Sequence, residues 1–335
     1  MSQYLITIDG GTTNTRAVLW NRECRAVCTA KEEVGVRNTA MDGHNGRLKE
    51  AVGELIRSLL AQAGISREQV NAVYASGMIT SNVGLVEIPH LIAPASIVNF
   101  ADNVQSVRIP EVYPEPIHFI PGLKNLPDSE VTLKNLEVMD IMRGEESEAL
   151  ALLSRIQNHE GCLLVLPGSH TKFVTVDAGG SMTGCLTSLA GEMLAVLTEY
   201  SIVADAVKRR FVSGSFDETY LLAGFRAARD TGCARAAFLT RIAGQFLTKD
   251  QNQCASFLLG AVLQNDVSAI RLSRALQVNP NMHVLIAGKE PLRSAIRALL
   301  AEDGYFSNIE TVENDPDRPL AGYGALLIAK KRGDF

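Results

Sequence analysis

The chain has 335 residues, of which 46% are hydrophobic and 21% are charged, and its formal net charge is −5. A chain of this length can bury two separate cores, so two domains are expected. The acidic balance argues against nucleic acid as the main partner, because a protein that binds the phosphate backbone normally carries a basic face.

No segment has the features of a leader peptide or a membrane span. Residues 1–4 lead directly into a strand-like run, and no apolar run approaches the roughly 18 residues that a span requires. The six cysteines are scattered and form no C-x-x-C pair, which favours free thiols in a reducing compartment. We therefore expect a cytoplasmic protein without a membrane partner, and the sequence leaves a homodimer open.

The first quarter of the chain predicts an antiparallel sheet followed by a helix and a parallel strand. Apolar residues recur at helical spacing over 45–63, and Gly64 supplies a C-terminal stop. A strand that follows a helix is expected to join its sheet in parallel. The strands predicted here are 4–9, 16–20, 26–34 and 70–75.

The next part of the chain, residues 77–135, is rich in Gly, Pro, Ser and Asn. This composition predicts functional loops around a single strand at 117–120. A strand is predicted at 136–141, with Asp140 near its end. A helix is predicted from residue 145, because acidic residues in a first turn are favoured by the helix dipole.

The second half of the chain repeats the opening pattern and then becomes helical. Strands are predicted at 163–166, at 171–177 and directly after residue 180, and residues 188–275 are mostly helical. The remaining predicted elements are a strand at 283–287, a helix at 291–301, a strand at 309–312 and a helix at 317–331.

Two segments, 5–16 and 162–172, share one pattern of an apolar strand, a Gly followed by Thr or Ser, and a cation on the next strand. Two copies of one hairpin predict a duplicated α/β fold whose two hairpins face each other across a cleft. Turns of this composition let backbone N–H groups approach phosphate oxygens, so a facing pair can hold a polyphosphate. Asp9 would place a carboxylate beside those phosphates, where Mg²⁺ is expected.

Five motifs along the chain resemble those of sugar kinases in the actin-like ATPase superfamily. They are 9–12 (DGGT), 140–146 (DIMRGEE), 167–172 (PGSHTK), 284–288 (VLIAG) and 321–325 (AGYGA). The segments 77–84, 120–123, 142–146 and 167–172 resemble more closely the family of 2-dehydro-3-deoxygalactonokinases.

This resemblance implies a duplicated ribonuclease H-like, actin-like ATPase fold with two lobes around a central cleft. Residues 1–144 plus 317–335 would form the N-terminal lobe, which holds the first phosphate loop and the sugar site. Residues 145–316 would form the C-terminal lobe, which holds the second phosphate loop and the adenosine motif. The implied reaction is transfer of a phosphoryl group from ATP, with Mg²⁺, to the 6-hydroxyl of 2-dehydro-3-deoxy-D-galactonate in galactonate breakdown.

The resemblance also assigns nucleotide contacts. Asp9 would be the residue that faces the metal. The ATP and phosphate contacts would be Asp9, Gly11, Thr12 and Thr13 in the first loop, Gly168, Ser169, His170 and Lys172 in the second loop, and Ala287 and Gly288 in the adenosine motif.

The general base would be a carboxylate near the attacking hydroxyl. Glu145 follows Gly144 at the predicted start of the crossing helix and is the preferred candidate, while Asp140 is its competitor. Either acid could instead compensate the helix dipole or form a structural ion pair.

The carboxylate of a sugar acid needs a positive partner, and a bidentate arginine is the usual choice. Arg143 and Arg16 are the candidates, with Ser81 and Asn82 as neutral donors. Arg16 could equally be an ordinary exposed strand residue.

Three positions depart from the family pattern. Gly10 stands where family members often carry Trp, and Leu166 stands where many superfamily members carry Asp. The adenosine motif has one glycine, Gly288, where two are common. These departures leave the substrate, the metal ligands and the adenine contacts open.

Three alternative functions follow from the same motifs. The chain could phosphorylate another sugar or sugar acid, or it could use water in place of a sugar and act as a polyphosphate or nucleotide phosphohydrolase. A sugar-responsive regulator would need a helix-turn-helix segment, which we do not expect ahead of a strand at residue 4.

Overall fold

The computed structural model describes residues 3–156 and 161–335. The strands are β1 (Tyr4–Gly10), β2 (Thr15–Trp20), β3 (Ala26–Glu32), β4 (Val70–Gly77), β5 (Leu91–Ile92), β6 (Gln105–Ile109), β7 (Tyr113–Phe119), β8 (Leu123–Lys124), β9 (Ile141–Met142), β10 (Cys162–Leu166), β11 (Thr171–Val176), β12 (Met182–Ser188), β13 (His283–Ile286) and β14 (Asn308–Thr311). The helices are α1 (Val36–Asp42), α2 (Gly46–Ala63), α3 (Ile97–Asp102), α4 (Glu145–Leu153), α5 (Ala190–Tyr200), α6 (Glu218–Thr231), α7 (Cys233–Phe246), α8 (Gln251–Leu272), α9 (Leu292–Asp303) and α10 (Leu320–Arg332). None of these helices is long and apolar enough to cross a membrane.

Two large sheets carry the same topology. The first has the order β3-β2-β1-β4-β7-β6, and the second has the order β12-β11-β10-β13-β14. In each sheet three antiparallel strands are followed by two strands parallel to the first of them. The first sheet adds β6 as an antiparallel edge. The predicted duplication and the ribonuclease H-like fold class are confirmed.

Central and edge strands differ in how much of their surface is buried, and their sequences differ accordingly. The central strands β10 and β11 are buried along their whole length, because helices cover both faces of the sheet. The edge strand β3 alternates between half-buried and exposed residues instead. The helix α2 buries one apolar stripe and ends at Gly64 in the left-handed conformation, as its sequence predicts.

The last helix, α10, returns to the first sheet. Gly322 in α10 lies so close to β1 and β2 that a Cβ there would sit 2.9 Å from the Thr7 hydroxyl oxygen and 3.0 Å from the Trp20 ring. The Trp20 indole N–H donates to the Thr7 hydroxyl at 2.8 Å. The helix α10 also packs along α4.

The predicted strand at 136–141 is wrong. Residues Leu136–Val138 form a 3₁₀ turn, and only Ile141–Met142 pair as β9. Leu136 and Ile141 are 56% and 50% exposed, and Val138 and Met139 are only half-buried, so none of the apolar residues of this segment is fully buried. The region 77–135 also contains more structure than one strand, because β6 and β7 form a hairpin whose exposed edge strand β6 lacks an apolar pattern.

A small sheet of β5, β8 and β9 joins the two large sheets. Backbone hydrogen bonds pair Ala95 with Met182 of β12 in both directions. The Asn125 side chain donates to the Cys185 carbonyl at 2.8 Å, and the Cys185 N–H donates to the Asn125 side-chain oxygen at 2.9 Å. These bonds attach the segments beside β5 and β8 to β12, the edge strand of the second large sheet.

Candidate active site

The first glycine–threonine turn is open to solvent and supported from below. The Gly11 N–H donates to the Asn14 carbonyl at 2.8 Å, which closes the turn, and Thr12 and Thr13 are exposed. The N–H groups of Val36 and Arg37 donate to the carbonyls of Gly11 and Thr12, at 3.2 and 2.9 Å. The segment at the start of α1 therefore fixes the turn and leaves its outer side free for an anion.

Position 10, one of the predicted departures from the family pattern, is filled by a side chain from the turn after β4. A Cβ at Gly10 would lie 2.6 Å from the Cβ of Ile79. Ile79 is fully buried and belongs to the turn after β4. A side chain at position 10 would therefore require Ile79 to move.

The second turn, between β10 and β11, is braced by helix α5. Ser169 and His170 are exposed, and the His170 Nε2 lies 2.9 Å from a Glu192 carboxylate oxygen. The Glu192 N–H donates to the Ser169 carbonyl at 2.9 Å. Gly191 packs on Gly168 so closely that a Cβ would overlap the Gly168 carbonyl oxygen.

The residues predicted to contact adenosine lie behind the second turn. Ala287 is fully buried, and its N–H donates to the Val165 carbonyl at 3.0 Å. Gly288 approaches Pro167, since a Cβ at Gly288 would sit 3.2 Å from the Pro167 carbonyl oxygen. The structure thus brings both residues to the second turn, where Ala287 belongs to the core beneath it.

A cavity of about 250 Å³ lies beside the second turn. It is slightly smaller than the ~300–1,000 Å³ of typical small-molecule pockets. Sequence reasoning missed most of its lining, because α5 residues and a surface loop carry no motif. Its lining includes Gly168 and Ser169 of the second turn, the apolar side chains of Leu194, Phe211 and Leu292, and the exposed Arg209.

The turn before α4 brings a second segment to the first loop. Gly144 has φ +110°, a conformation that favours glycine, and a Cβ there would lie 3.2 Å from the Cα of Gly77 and 3.8 Å from an Asp9 oxygen. The fully buried Glu146 carboxylate accepts from the Gly144 N–H at 2.9 and 2.7 Å. Glu146 therefore holds the turn that presents Glu145.

Glu145 lies beside Asp9 with an unused oxygen. Its Oε2 atom is buried and has no hydrogen-bond partner within the described part of the chain. Burial raises the pKa of Asp9 to about 6, with the Arg16 guanidinium opposing the rise and the Glu145 charge adding to it. The Arg16 Nη1 atom lies 3.8 Å from Asp9 Oδ2. A carboxylate oxygen of this kind is suited to accept a proton or a hydrogen bond from a ligand.

A further acid extends the cluster one turn along α4. Burial raises the pKa of Glu148 to about 8, and the negative charges of Asp9 and Glu145 add to the rise. Three carboxyl groups therefore lie near one another beside the first loop, although no group of three or more His, Cys, Asp or Glu in residues 3–156 and 161–335 is arranged to hold a metal.

Asp140, the competing base, already has its oxygens engaged. Asp140 Oδ1 accepts from the Ile141 N–H at 2.7 Å and from the Thr187 hydroxyl at 2.6 Å, and Oδ2 accepts from the Thr187 N–H at 2.6 Å. The acid precedes β9 and ties it to β12. This arrangement favours a structural role and leaves Glu145 as the better candidate for the base.

Asp140→Asn should therefore weaken the fold more than the chemistry. Asparagine has one acceptor oxygen where Asp140 uses two for Thr187, so one of the two bonds is lost. We expect the free energy of unfolding to fall by about 1–3 kcal/mol, with kcat within about tenfold of wild type. Urea denaturation and turnover measure the two effects. The control is Asp128→Asn, which removes only the exposed ion pair with Lys124. A 100-fold loss of kcat at unchanged stability would instead identify Asp140 as the base.

Lys172 is turned away from the phosphate side of the second loop. It is only 8% exposed, and its Nζ donates to the Ile141 carbonyl at 2.9 Å and to the Thr187 hydroxyl at 2.7 Å. This placement argues against the predicted phosphate contact. Lys172 instead joins the second hairpin to the segment that leads into Gly144.

Arg143 braces the loop after β4. Its Nη1 donates to the Thr80 carbonyl and hydroxyl, both at 2.7 Å, and its Nη2 donates to the Ile88 carbonyl at 2.7 Å. Because both terminal nitrogens serve protein acceptors, the guanidinium fork is not free for a substrate carboxylate, which argues against that predicted role. In the same loop Ser81 is buried and donates its hydroxyl to the Met78 carbonyl at 2.7 Å, while Asn82 is exposed.

Comparison with known proteins identifies the family of the chain. The model of the 2-keto-3-deoxy-galactonokinase family matches residues 9–315. A 2-dehydro-3-deoxygalactonokinase of Escherichia coli (strain K12) is 26% identical over 277 residues, which cover 81% of this chain and 82% of the relative.

Solved structures show the same fold. A Sinorhizobium meliloti protein provisionally named a 2-dehydro-3-deoxygalactonokinase superposes with a TM-score of 0.75 at 19% identity, over 98% of both chains. The activator of 2-hydroxyisocaproyl-CoA dehydratase from Clostridium difficile, solved with bound ADPNP, superposes with a TM-score of 0.52 at 12% identity, over 98% of this chain and 96% of that one. The family match over residues 9–315 identifies the chain as a member of the 2-keto-3-deoxy-galactonokinase family.

Proposed function

We propose that the protein transfers the γ-phosphoryl group of ATP to the 6-hydroxyl of 2-dehydro-3-deoxy-D-galactonate. The observation that carries this proposal is the unpartnered Glu145 oxygen beside Asp9, at the end of the open first loop. A base in this position would face the terminal phosphate of a nucleotide held by the two turns. The choice of this sugar acid as the acceptor rests on the names of the family and of the Escherichia coli relative.

The nucleotide would lie between the two turns. N–H groups of the exposed Thr12 and Thr13 and of Ser169 would bind phosphate oxygens, because exposed turns of this kind bind anions. The cavity beside Gly168 would receive the adenine and ribose, with apolar walls for the base and Arg209 at the rim. The structural relative solved with ADPNP supports a nucleotide in this fold.

The residues present fit Mg²⁺. This ion keeps several waters and is usually bound by one or two carboxylates together with substrate phosphates. Asp9, whose side chain is 23% exposed at the first loop, offers one such carboxylate, and Leu166 offers none on the second hairpin. When bound, the ion would neutralise charge on the transferring phosphoryl group.

The chain's own groups would then carry the remaining steps. Glu145 would accept the proton of the attacking hydroxyl, and Glu146 would keep Glu145 in place through the Gly144 turn. We retain the two lobes as 1–144 plus 317–335 and 145–316, with the cleft between them, and the cytoplasm as the expected location of an enzyme that uses ATP.

The test is a coupled assay of ADP release over a panel of sugar acids and neutral sugars. We expect ADP release to require 2-dehydro-3-deoxygalactonate, with phosphate found on its 6-oxygen by ³¹P NMR. If another sugar is turned over faster, that sugar is the substrate and the proposed sugar acid is not. Release of inorganic phosphate without any sugar would favour the phosphohydrolase alternative.

A further inference from the structure

The proposed sugar site is lined by acidic side chains. Glu145 raises the pKa of Asp9, and Asp9 and Glu145 both raise the pKa of Glu148, because the three carboxyl groups lie near one another at the first loop. ATP would bring further negative charge to the same place. A substrate that is itself an anion therefore needs a dedicated cation to hold its carboxylate.

Neither arginine that the sequence suggested is well placed for this task. Arg143 uses both terminal nitrogens on Thr80 and Ile88. Arg16 stands opposite Asp9 in the β1–β2 pairing, and its Nη1 lies 3.8 Å from the Asp9 carboxylate. Arg16 is thus the counter-charge of the residue expected to face the metal.

Arg37 is a third arginine, and its guanidinium is free. Its backbone N–H donates to the Thr12 carbonyl at 2.9 Å, which places it directly beside the first phosphate loop. The side chain is exposed, and within residues 3–156 and 161–335 it has no ion pair or hydrogen bond. The preceding Gly35 lets this segment approach the loop, because a Cβ there would clash with the Gly11 and Thr12 carbonyls.

The segment that begins at Arg37 also reaches the neutral donors expected in the sugar site. After α1, the Asn45 side chain donates to the Gly84 carbonyl at 3.0 Å. Gly84 closes the turn that contains Ser81 and Asn82, since its N–H donates to the Ser81 carbonyl at 2.8 Å. Residues 37–45 therefore connect the phosphate loop with that turn, and Arg37 stands at the phosphate end.

We propose that Arg37 binds the carboxylate of the sugar acid and thereby sets the preference for acids over neutral sugars. The inference rests on the proposed function, since it assumes a sugar-acid substrate. A guanidinium can receive a carboxylate through two parallel hydrogen bonds, and an unpaired arginine loses no protein partner when it does so.

The test compares wild type with Arg37→Gln and Arg37→Lys on two substrates, the sugar acid and the analogue whose carboxyl group is reduced to an alcohol. For Arg37→Gln we expect the KM for the acid to rise about 10- to 100-fold, as loss of a charge-assisted pair predicts. The KM for ATP and the efficiency on the neutral analogue should stay within about threefold. Arg37→Lys should recover only part of the loss, because lysine cannot form the bidentate pair.

The matched control is Arg25→Gln, which removes an exposed arginine from the turn between β2 and β3, at the opposite end of those strands from the loop. It should behave as wild type on both substrates. Thermal melting of each variant checks the fold, and calorimetric titration of the acid without ATP measures binding apart from turnover.

Two results would overturn the inference alone. In one, Arg37→Gln keeps the wild-type preference for the acid. In the other, its KM for ATP rises while acid binding is unchanged, which would make Arg37 a phosphate contact. A wild-type enzyme that uses the acid and the neutral analogue equally well would overturn both this inference and the proposed substrate class.

Discussion

Glu145→Gln is expected to lower kcat by about 10²–10⁴, the usual contribution of a positioned general base, and to leave the KM for ATP nearly unchanged. Glutamine keeps the size of the side chain but cannot accept the proton of the attacking hydroxyl. The lower end of the range is favoured, because phosphoryl transfer has a loose transition state and the hydroxyl need not lose its proton early. The effect should appear in kcat, since the Glu145 Oε2 atom has no hydrogen-bond donor in residues 3–156 and 161–335 that the substitution would disturb.

Two control variants change acids near Glu145, one in α4 itself and one in the segment that precedes α4. Glu148→Gln changes another acid of α4, one turn away from Glu145, and Asp140→Asn changes an acid whose oxygens already accept hydrogen bonds from Thr187. Both should retain far more activity than Glu145→Gln. If all three variants keep wild-type rates in single-turnover measurements with saturating ATP, no carboxylate acts as the base and positioning alone drives the transfer.

The fold could be predicted from the sequence because the same hairpin pattern occurs in both halves of the chain. The two hairpins at 5–16 and 162–172 carry the same spacing of apolar, small and hydroxyl residues, and the two sheets that they open have the same strand order. The strand at 136–141 failed for the opposite reason. Its outer apolar residues, Leu136 and Ile141, are exposed, so their spacing does not reflect a buried strand face. In addition, no local sequence signal shows that the neighbouring Asp140 is hydrogen-bonded to β12.

The site was predicted in part, because residue type and spacing show which groups are present and not which partners they already have. Arg143 and Lys172 matched their motifs, yet in the folded chain both side chains donate to backbone carbonyls and hydroxyl oxygens and are not free for a ligand. Arg37 carried no motif, and it is brought to the loop by tertiary contacts, in which its own N–H donates to Thr12 and the N–H of Val36 donates to Gly11. Long-range hydrogen bonds of this kind leave no periodic trace in the sequence.

Asp9→Asn should lose activity and gain stability at the same time. Removing the carboxylate that faces the metal is expected to lower kcat by about 10²–10³ and to raise the Mg²⁺ concentration needed for half-maximal rate. The gain follows from linkage. The pKa of Asp9 rises from 3.8 to about 6 on folding, so the folded state binds more protons than the unfolded state between these values. The contribution of Asp9 to stability is therefore fully present below pH 3.8 and is lost as pH rises through about 6.

The amide carries no such penalty, so the ligand-free variant should melt above wild type at pH 8 and close to it at pH 4. Thermal melts at the two pH values and a Mg²⁺ titration of turnover measure both effects. Thr13→Val serves as the control, because it changes the same loop and leaves every charge in place. The opposite pattern, with normal turnover and lower stability at pH 8, would show that Asp9 only supports the turn. A buried carboxylate close to Glu145 and Glu148 lowers the stability of the ligand-free protein. Loss of activity together with a gain in stability in Asp9→Asn is therefore the result expected if this carboxylate serves to bind a cation.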